Sequence, residues 1–184
     1  MGSWIVLGLG VVVYVLVVVW AAGRLPATDV PLHFTGSGAA DRLGTAGDAI
    51  TAWVVLGSIM IAISVGALLA VQRAPLRRLN VPYRDHWTAP EHVPTLRRML
   101  AADASVVLSA TLVVLTLMPV SMLLGARSSD GSVPPFLLWG PLSAYVLAVV
   151  AWTYWLVRHR YRPADTAGRS SEDRHRGGEG RPGR

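Results

Sequence analysis

The chain contains no cysteine and no lysine. Without a thiol there is no disulfide, no thiolate metal centre and no cysteine nucleophile, and the redox state of the compartment leaves no mark on the sequence. Without lysine, every one of the 17 basic residues is arginine, against 11 acidic ones. That bias, beside abundant Ala, Gly and Val, is the composition expected of a high-GC bacterial genome. Charge is also absent from long stretches. Residues 4–22, 49–71, 104–126 and 135–157 hold no Asp, Glu, Arg or His. Each supplies the roughly 20 apolar residues needed to cross about 30 Å of hydrocarbon. None alternates as a barrel strand of about 10 residues would. With 52% hydrophobic residues, the fold class expected is all-α integral membrane, a four-transmembrane-helix bundle.

The missing charges narrow function as well. Proton relays and ion-coupled transporters keep an ionisable group at depth. The nearest here is Asp103, at the mouth of the third span, so autonomous transport is not expected. No Ser/His/Asp order, HExxH motif or glycine-rich phosphate loop appears, so catalysis is not expected and no cofactor is implied. A net charge of +6 would point to nucleic acid in a soluble protein. Here its distribution points to orientation. The connection 72–103 holds six arginines (Arg73, Arg77, Arg78, Arg84, Arg97, Arg98) and the tail 158–184 holds eight, whereas 23–48 and 127–134 hold only Arg24, Arg42 and Arg127. By the positive-inside rule both termini are cytoplasmic and residues 24–48 face outward. The location implied is a bacterial inner membrane, and no nucleic-acid partner is expected.

The polar segments, at most about 32 residues long, are too short for an independent core. One membrane domain, 1–162, is followed by a tail, 163–184, with no Val, Ile, Leu, Met or aromatic residue. Such a tail cannot offset its ordering entropy and is expected to be disordered, its arginines available to anionic lipid headgroups. The first span imitates a signal peptide, with Ala21 and Gly23 at cleavage spacing. It lacks a basic leading region, so an uncleaved helix is expected. Within the second span Ser58, Ala62, Gly66 and Ala70 form a small-residue stripe suited to close helix packing, inside the bundle or in a dimer. Pro119 should kink the third span. Trp4, Trp20, Trp53, Trp139 and Trp155 fall near span ends, as interface anchors do.

The stretch "LPATDVPLHFTGSGAADRLGTAGD" between the first two spans is the most specific in the chain. Pro26 and Pro31 stiffen it. Val30, Leu32 and Phe34 alternate with Pro31 and His33 as in a short strand with one apolar face. Gly36 and Gly38 allow a turn with positive φ, and Asp41 or Thr45 can cap the next helix. His33, Asp29, Asp41 and Asp48 are the titratable residues available there. They can form a hydrogen-bonded network that holds the loop, a recognition surface for a peptide, or a metal site. In the connection 72–103, Thr88-Ala89-Pro90-Glu91 fits a capping box, with Pro94 allowing a later helix start. Leu96, Met99, Leu100 and Asp103 then share one helical face. A short amphipathic helix at the inner surface is expected, with Tyr83 and Trp87 at headgroup depth. His86 and His92, six apart, are poorly spaced to share a metal on one helix face.

Pro26, Pro31, His33, Gly38 and Asp41, at these spacings after a first span, resemble the bacterial family called domain of unknown function 1648. Its members carry a proline-x-histidine element, then glycine and aspartate, between their first two helices. "LNVPYRDHWTAPE" is similar to the family's NxPxxxYW segment, here Asn80, Pro82 and Trp87, with His86 where an aromatic is more usual. The resemblance covers most of residues 1–125. Relatives of the SdpI type protect bacteria from a membrane-active toxin peptide and signal by holding a repressor at the membrane. The resemblance therefore implies that residues 26–41 sense an outside peptide and that Asn80, Pro82, Tyr83 and Trp87 form a cytoplasmic docking surface. This chain departs from that type in having four spans and an arginine-rich tail. The function expected is a non-catalytic sensory, immunity or envelope-partner role, acting on an extracellular peptide or a membrane or cytoplasmic protein, with oligomers allowed. The alternatives are a small membrane enzyme or metal-binding accessory using His33 and Asp41, and a structural subunit of a larger complex.

Overall fold

The structure is a computed structural model that describes residues 2–75 and 81–162. Asn80, Arg77, Arg78 and the tail 163–184 lie outside the described residues. Helix α1 (Gly2–Ala22) leads into a β-hairpin of β1 (Val30–Phe34) and β2 (Ala40–Gly44), followed by α2 (Ala46–Arg73). A one-turn helix α3 (Arg84–Trp87) precedes α4 (Val93–Leu115) and α5 (Leu117–Arg127), which together form the third long helix. Helix α6 (Pro135–Trp155) closes in a π-turn over Leu156–Arg160. Four helices, of 21, 28, 35 and 26 residues, are long and apolar enough to cross a membrane. The expected bundle is present, and its connecting loop is a two-stranded antiparallel sheet, so "all-α" describes the helices alone.

The third long helix is the centre. Helix α1 runs alongside it: Gly10 meets Ser109, and Ala21 shares a cluster with Met122 and Leu123. A Cβ on Gly10 would lie 2.9 Å from the Ser109 Cα, and the Ser109 hydroxyl donates to the Val6 carbonyl at 2.8 Å. Without water in the bilayer, close backbone approach and hydrogen bonds of this kind hold helices together. Helix α2 packs through Ala49, Trp53, Gly57, Ser64 and Leu68. The Tyr14 ring takes the space a side chain at Gly57 would fill, and its hydroxyl donates to the Trp53 carbonyl at 2.6 Å.

Four expectations need correction. Ser58, Ala62, Gly66 and Ala70 are all exposed, on the face of α2 turned away from the bundle, and Gly66 meets nothing within 4 Å. Of the two partners expected for this stripe, it is packing inside the bundle that the structure overturns. Close helix packing belongs to Gly10 and Gly57 instead, and Gly125 receives the hairpin. Trp53 is not an interface anchor. It is buried, and its indole N–H donates to the Met122 sulfur at 3.1 Å. The segment before the third span is not a separate surface helix but the first turns of α4 itself. At about 1.5 Å per residue the 35-residue helix reaches roughly 52 Å, well beyond the hydrocarbon. Thr88 closes α3 and donates its hydroxyl back to Arg84, so the capping box does not form. Helix α4 starts later, with Pro94 in its first turn, where a missing N–H costs nothing. Where a kink is expected of Pro119, the helix has a one-residue break at Thr116, one turn before the proline. Pro119 has no N–H to give the Leu115 carbonyl.

These contacts separate two glycines on facing and lipid-side surfaces. Gly10→Ala should lower stability by about 1–3 kcal/mol, because α1 must move off Ser109. Gly66→Ala should be neutral or stabilising, as alanine is the better helix former by about 1 kcal/mol. Thermal unfolding in detergent checks both.

Candidate functional site

The hairpin is built as its residues demand. Asp29 enters it at φ 60°, a conformation Asp tolerates, and its side chain accepts from the Thr28 hydroxyl. Val30 and Pro31 are buried, Leu32 and Phe34 half-buried, and His33 points out. Pro31 cannot donate to the ladder, and the register slips on both sides of His33. Phe34 and Pro31 press on Gly125 of α5, where a Cβ would sit 2.9 Å from the Phe34 ring. Gly38 turns the hairpin at φ 85°, and its carbonyl accepts from Val133 N–H at 2.9 Å. A side chain there would strike the Val133 carbonyl. Trp139 donates its indole N–H to the Gly36 carbonyl at 3.0 Å. The expected apolar strand and glycine turn are therefore present, clamped to the ends of α5 and α6. Pro26 is exposed in the bend before β1.

The four titratable residues of this loop do not converge. His33 Nδ1 meets Asp41 Oδ1 at 2.7 Å, and both side chains are exposed, at 66% and 46%. Asp29 is occupied by Thr28. Asp48 forms a reciprocal capping box with Thr45, so Thr45 caps α2 and Asp41 does not. Among the described residues no group of three His or carboxylate side chains is placed to hold a metal. Beside this pair the turn 128–132 is also fixed. Asp130 accepts from Ser128 and Ser132, which pull its carboxyl down to about 2.

Beneath the hairpin lies an apolar cavity of about 310 Å³. Leu32 and Phe34 roof it, Leu115, Met118 and Ser121 form one wall, and Leu142 the other. His33 and Trp139 stand at its edge. The wall spans the break at Thr116. Helix α6 has no buried residue in its whole length. Polar bonds hold it: Trp139 to Gly36, Tyr145 to Thr111 at 2.6 Å, and the contacts beyond its last turn.

Those last contacts form a second site, at the opposite end, that sequence reasoning placed only as a helix mouth. Asp103 is buried and accepts from the Tyr161 hydroxyl at 2.8 Å, with Arg160 Nε 3.1 Å from its other oxygen. The Arg160 N–H is not aimed at that oxygen, so proximity of charge, not a hydrogen bond, joins them. The π-turn makes the meeting possible, since Tyr161 N–H bonds Leu156 five residues back. Trp87 is buried too and donates to the Tyr161 carbonyl at 2.9 Å. It is therefore core, not a headgroup anchor or a docking residue. Of the expected docking set, Pro82 is half-buried and Tyr83 exposed at φ 54°. Arg97 folds back to donate to the carbonyls of Val71, Gln72 and Ala74, closing the C-terminal end of α2. His86 stacks on His92 with ring centres 4.2 Å apart. The signal for Asp103 was its place seven residues after Leu96, on the buried face of α4.

Together these helices and their two ends define a multi-pass membrane protein with a folded hairpin clamped on one end. Compared with protein-family models, curated proteins and solved structures, the chain matches none.

The latch at Asp103 has a pH signature. Burial first, and then the carboxylate it donates to, push the Tyr161 hydroxyl above its ordinary value. The folded state thus holds that proton more tightly than the unfolded chain. The contribution is present below pH about 10 and lost as pH rises beyond it. Tyr161→Phe should cost about 1–3 kcal/mol near neutrality by stripping a donor from a buried carboxylate. It should also flatten the alkaline loss seen in the wild type. Unfolding midpoints measured between pH 7 and 11 read both effects.

Proposed function

We propose that this is a non-catalytic protein of the domain of unknown function 1648 family, set in a bacterial cell membrane with both termini cytoplasmic, and that its hairpin meets a peptide or protein partner outside. One observation carries the reading: the polar pair His33–Asp41 is held exposed on a hairpin that is itself bolted to two helices. A loop needed only to join α1 to α2 has no use for that rigidity. A recognition surface does, because groups ordered in advance lose less entropy when a partner arrives. The arginine bias of the connection 72–103 and the tail supports the orientation. His33, Gly38 and Asp41 support the family, as three of its expected motif positions shape one hairpin. The burial of Trp87 shifts any cytoplasmic docking surface toward Tyr83 and its exposed neighbours Arg84 and Asp85.

The test is genetic. A strain lacking the gene is challenged with membrane-active peptides and complemented with wild type, His33→Ala or Asp41→Ala, with membrane abundance measured for each. The expected outcome is sensitivity rescued by wild type and not by equally abundant variants. Full rescue by both variants would remove the hairpin pair from the function, and insensitivity of the deletion strain to every peptide would remove the immunity role.

A further inference from the structure

We propose that the cavity under the hairpin binds one acyl chain of a membrane phospholipid, entering between the third long helix and α6 from the leaflet on the hairpin side. This goes beyond the peptide-recognition reading and does not depend on it. The lining is the first reason. Apart from the Ser121 hydroxyl on one wall and His33 at the rim, the named walls are hydrocarbon, thioether and aromatic carbon, and the volume of about 310 Å³ falls at the lower end of ligand pockets. A chain with few polar groups fits such a lining, and a peptide backbone with unpaired N–H and C=O groups does not.

Depth is the second reason. The wall residues Val114 to Met122 precede Arg127, the end of α5, by 13 to 5 positions. At about 1.5 Å per residue they lie roughly 8 to 20 Å below that arginine. Half of a bilayer core of about 30 Å is about 15 Å. With Arg127 at the membrane surface, the cavity therefore runs from the middle of one leaflet to about the bilayer centre, the depth that the far half of an acyl chain occupies. Continuity is the third. Met118, Trp139 and Leu142 line the cavity and are also exposed, at 40%, 52% and 40%, on helices whose outer surfaces are apolar. The cavity therefore opens onto the surface that lipid covers. Helix α6, pinned by polar bonds and without a buried residue, leaves room for the chain along its inner side. His33 and Trp139 stand where the headgroup end would emerge.

The experiment uses the full chain in nanodiscs of phosphatidylcholine and phosphatidylglycerol, doped with a phospholipid carrying a photoactivatable diazirine midway along one acyl chain. Adducts are mapped by peptide mass spectrometry. The expected result is concentration of adducts on residues 114–122 and 138–142, with loss of those adducts in Ser121→Phe and Leu142→Trp, while adducts on Val146, Leu147 and Val150 persist. Leu142 is exposed, so Leu142→Trp blocks the mouth without disturbing the core and decides the matter if Ser121→Phe fails to fold. Adducts spread evenly over all exposed apolar residues, and unchanged by Leu142→Trp, would overturn the proposal by showing only annular lipid. Absence of adducts on these segments while Val146, Leu147 and Val150 are labelled would overturn it as well, by showing the groove closed to lipid.

Discussion

The close approach of α1 to the third long helix, made possible by the absent side chain at Gly10, is the contact on which the rest of the fold depends. Once Gly10 lies on Ser109, Tyr14 is carried to Gly57 and reaches the Trp53 carbonyl, which sets α2. Trp53 in turn reaches Met122, and Ala21, Val30 and Leu123 close around it. The hairpin then sits on Gly125 because α1 delivers it there. In a bilayer, where apolar surfaces gain little from meeting each other, such small-residue contacts and side-chain bonds to carbonyls replace the hydrophobic drive of a water-soluble core.

The two ends of the bundle solve different problems. At the hairpin end, polar groups are kept outside and fixed by local pairing: Thr45 with Asp48, His33 with Asp41, Asp130 with its two serines. At the other end a carboxylate is brought inside and must be answered, because an unpaired buried charge costs several kcal/mol. Tyr161 and Arg160 answer it, and in doing so they tie the last turn of the fourth helix to the third. Helix α6 is thus fastened at its ends and near its middle, with soft apolar space between. That arrangement sets a closely packed three-helix core beside a fourth helix that buries no residue against it.

Much of this was legible in the sequence, and the parts that were not have physical causes. The four spans follow from uncharged runs, since length and polarity alone decide what crosses hydrocarbon. Strand β1 could be read from Val30, Leu32 and Phe34, and the turn from Gly38. Strand β2, Ala-Asp-Arg-Leu-Gly, could not, because it faces solvent and carries no alternation to betray it. Ser58, Ala62, Gly66 and Ala70 mark one face of α2 by their spacing, but spacing never gives a face its direction, and this one points away from the bundle. Asp103 stands one residue before the uncharged run 104–126, where a carboxylate is unremarkable. Only the π-turn, invisible in composition, brings Tyr161 and Arg160 to it. Arg97 and Trp87 likewise looked like surface residues, and long-range partners in α2 and at Tyr161 draw them inward.

The central claim is that residues 30–44 are a folded hairpin fastened over the helix ends and not a free connecting loop. Hydrogen exchange on the full chain in nanodiscs tests it most directly. Strand amides, together with Thr35 and Gly38 N–H, which bond Ala39 and Thr35 in the turn, should exchange far more slowly than those of an unstructured peptide of the same sequence. Exchange across 30–44 at the unstructured rate would contradict the account and leave His33 and Asp41 without a platform.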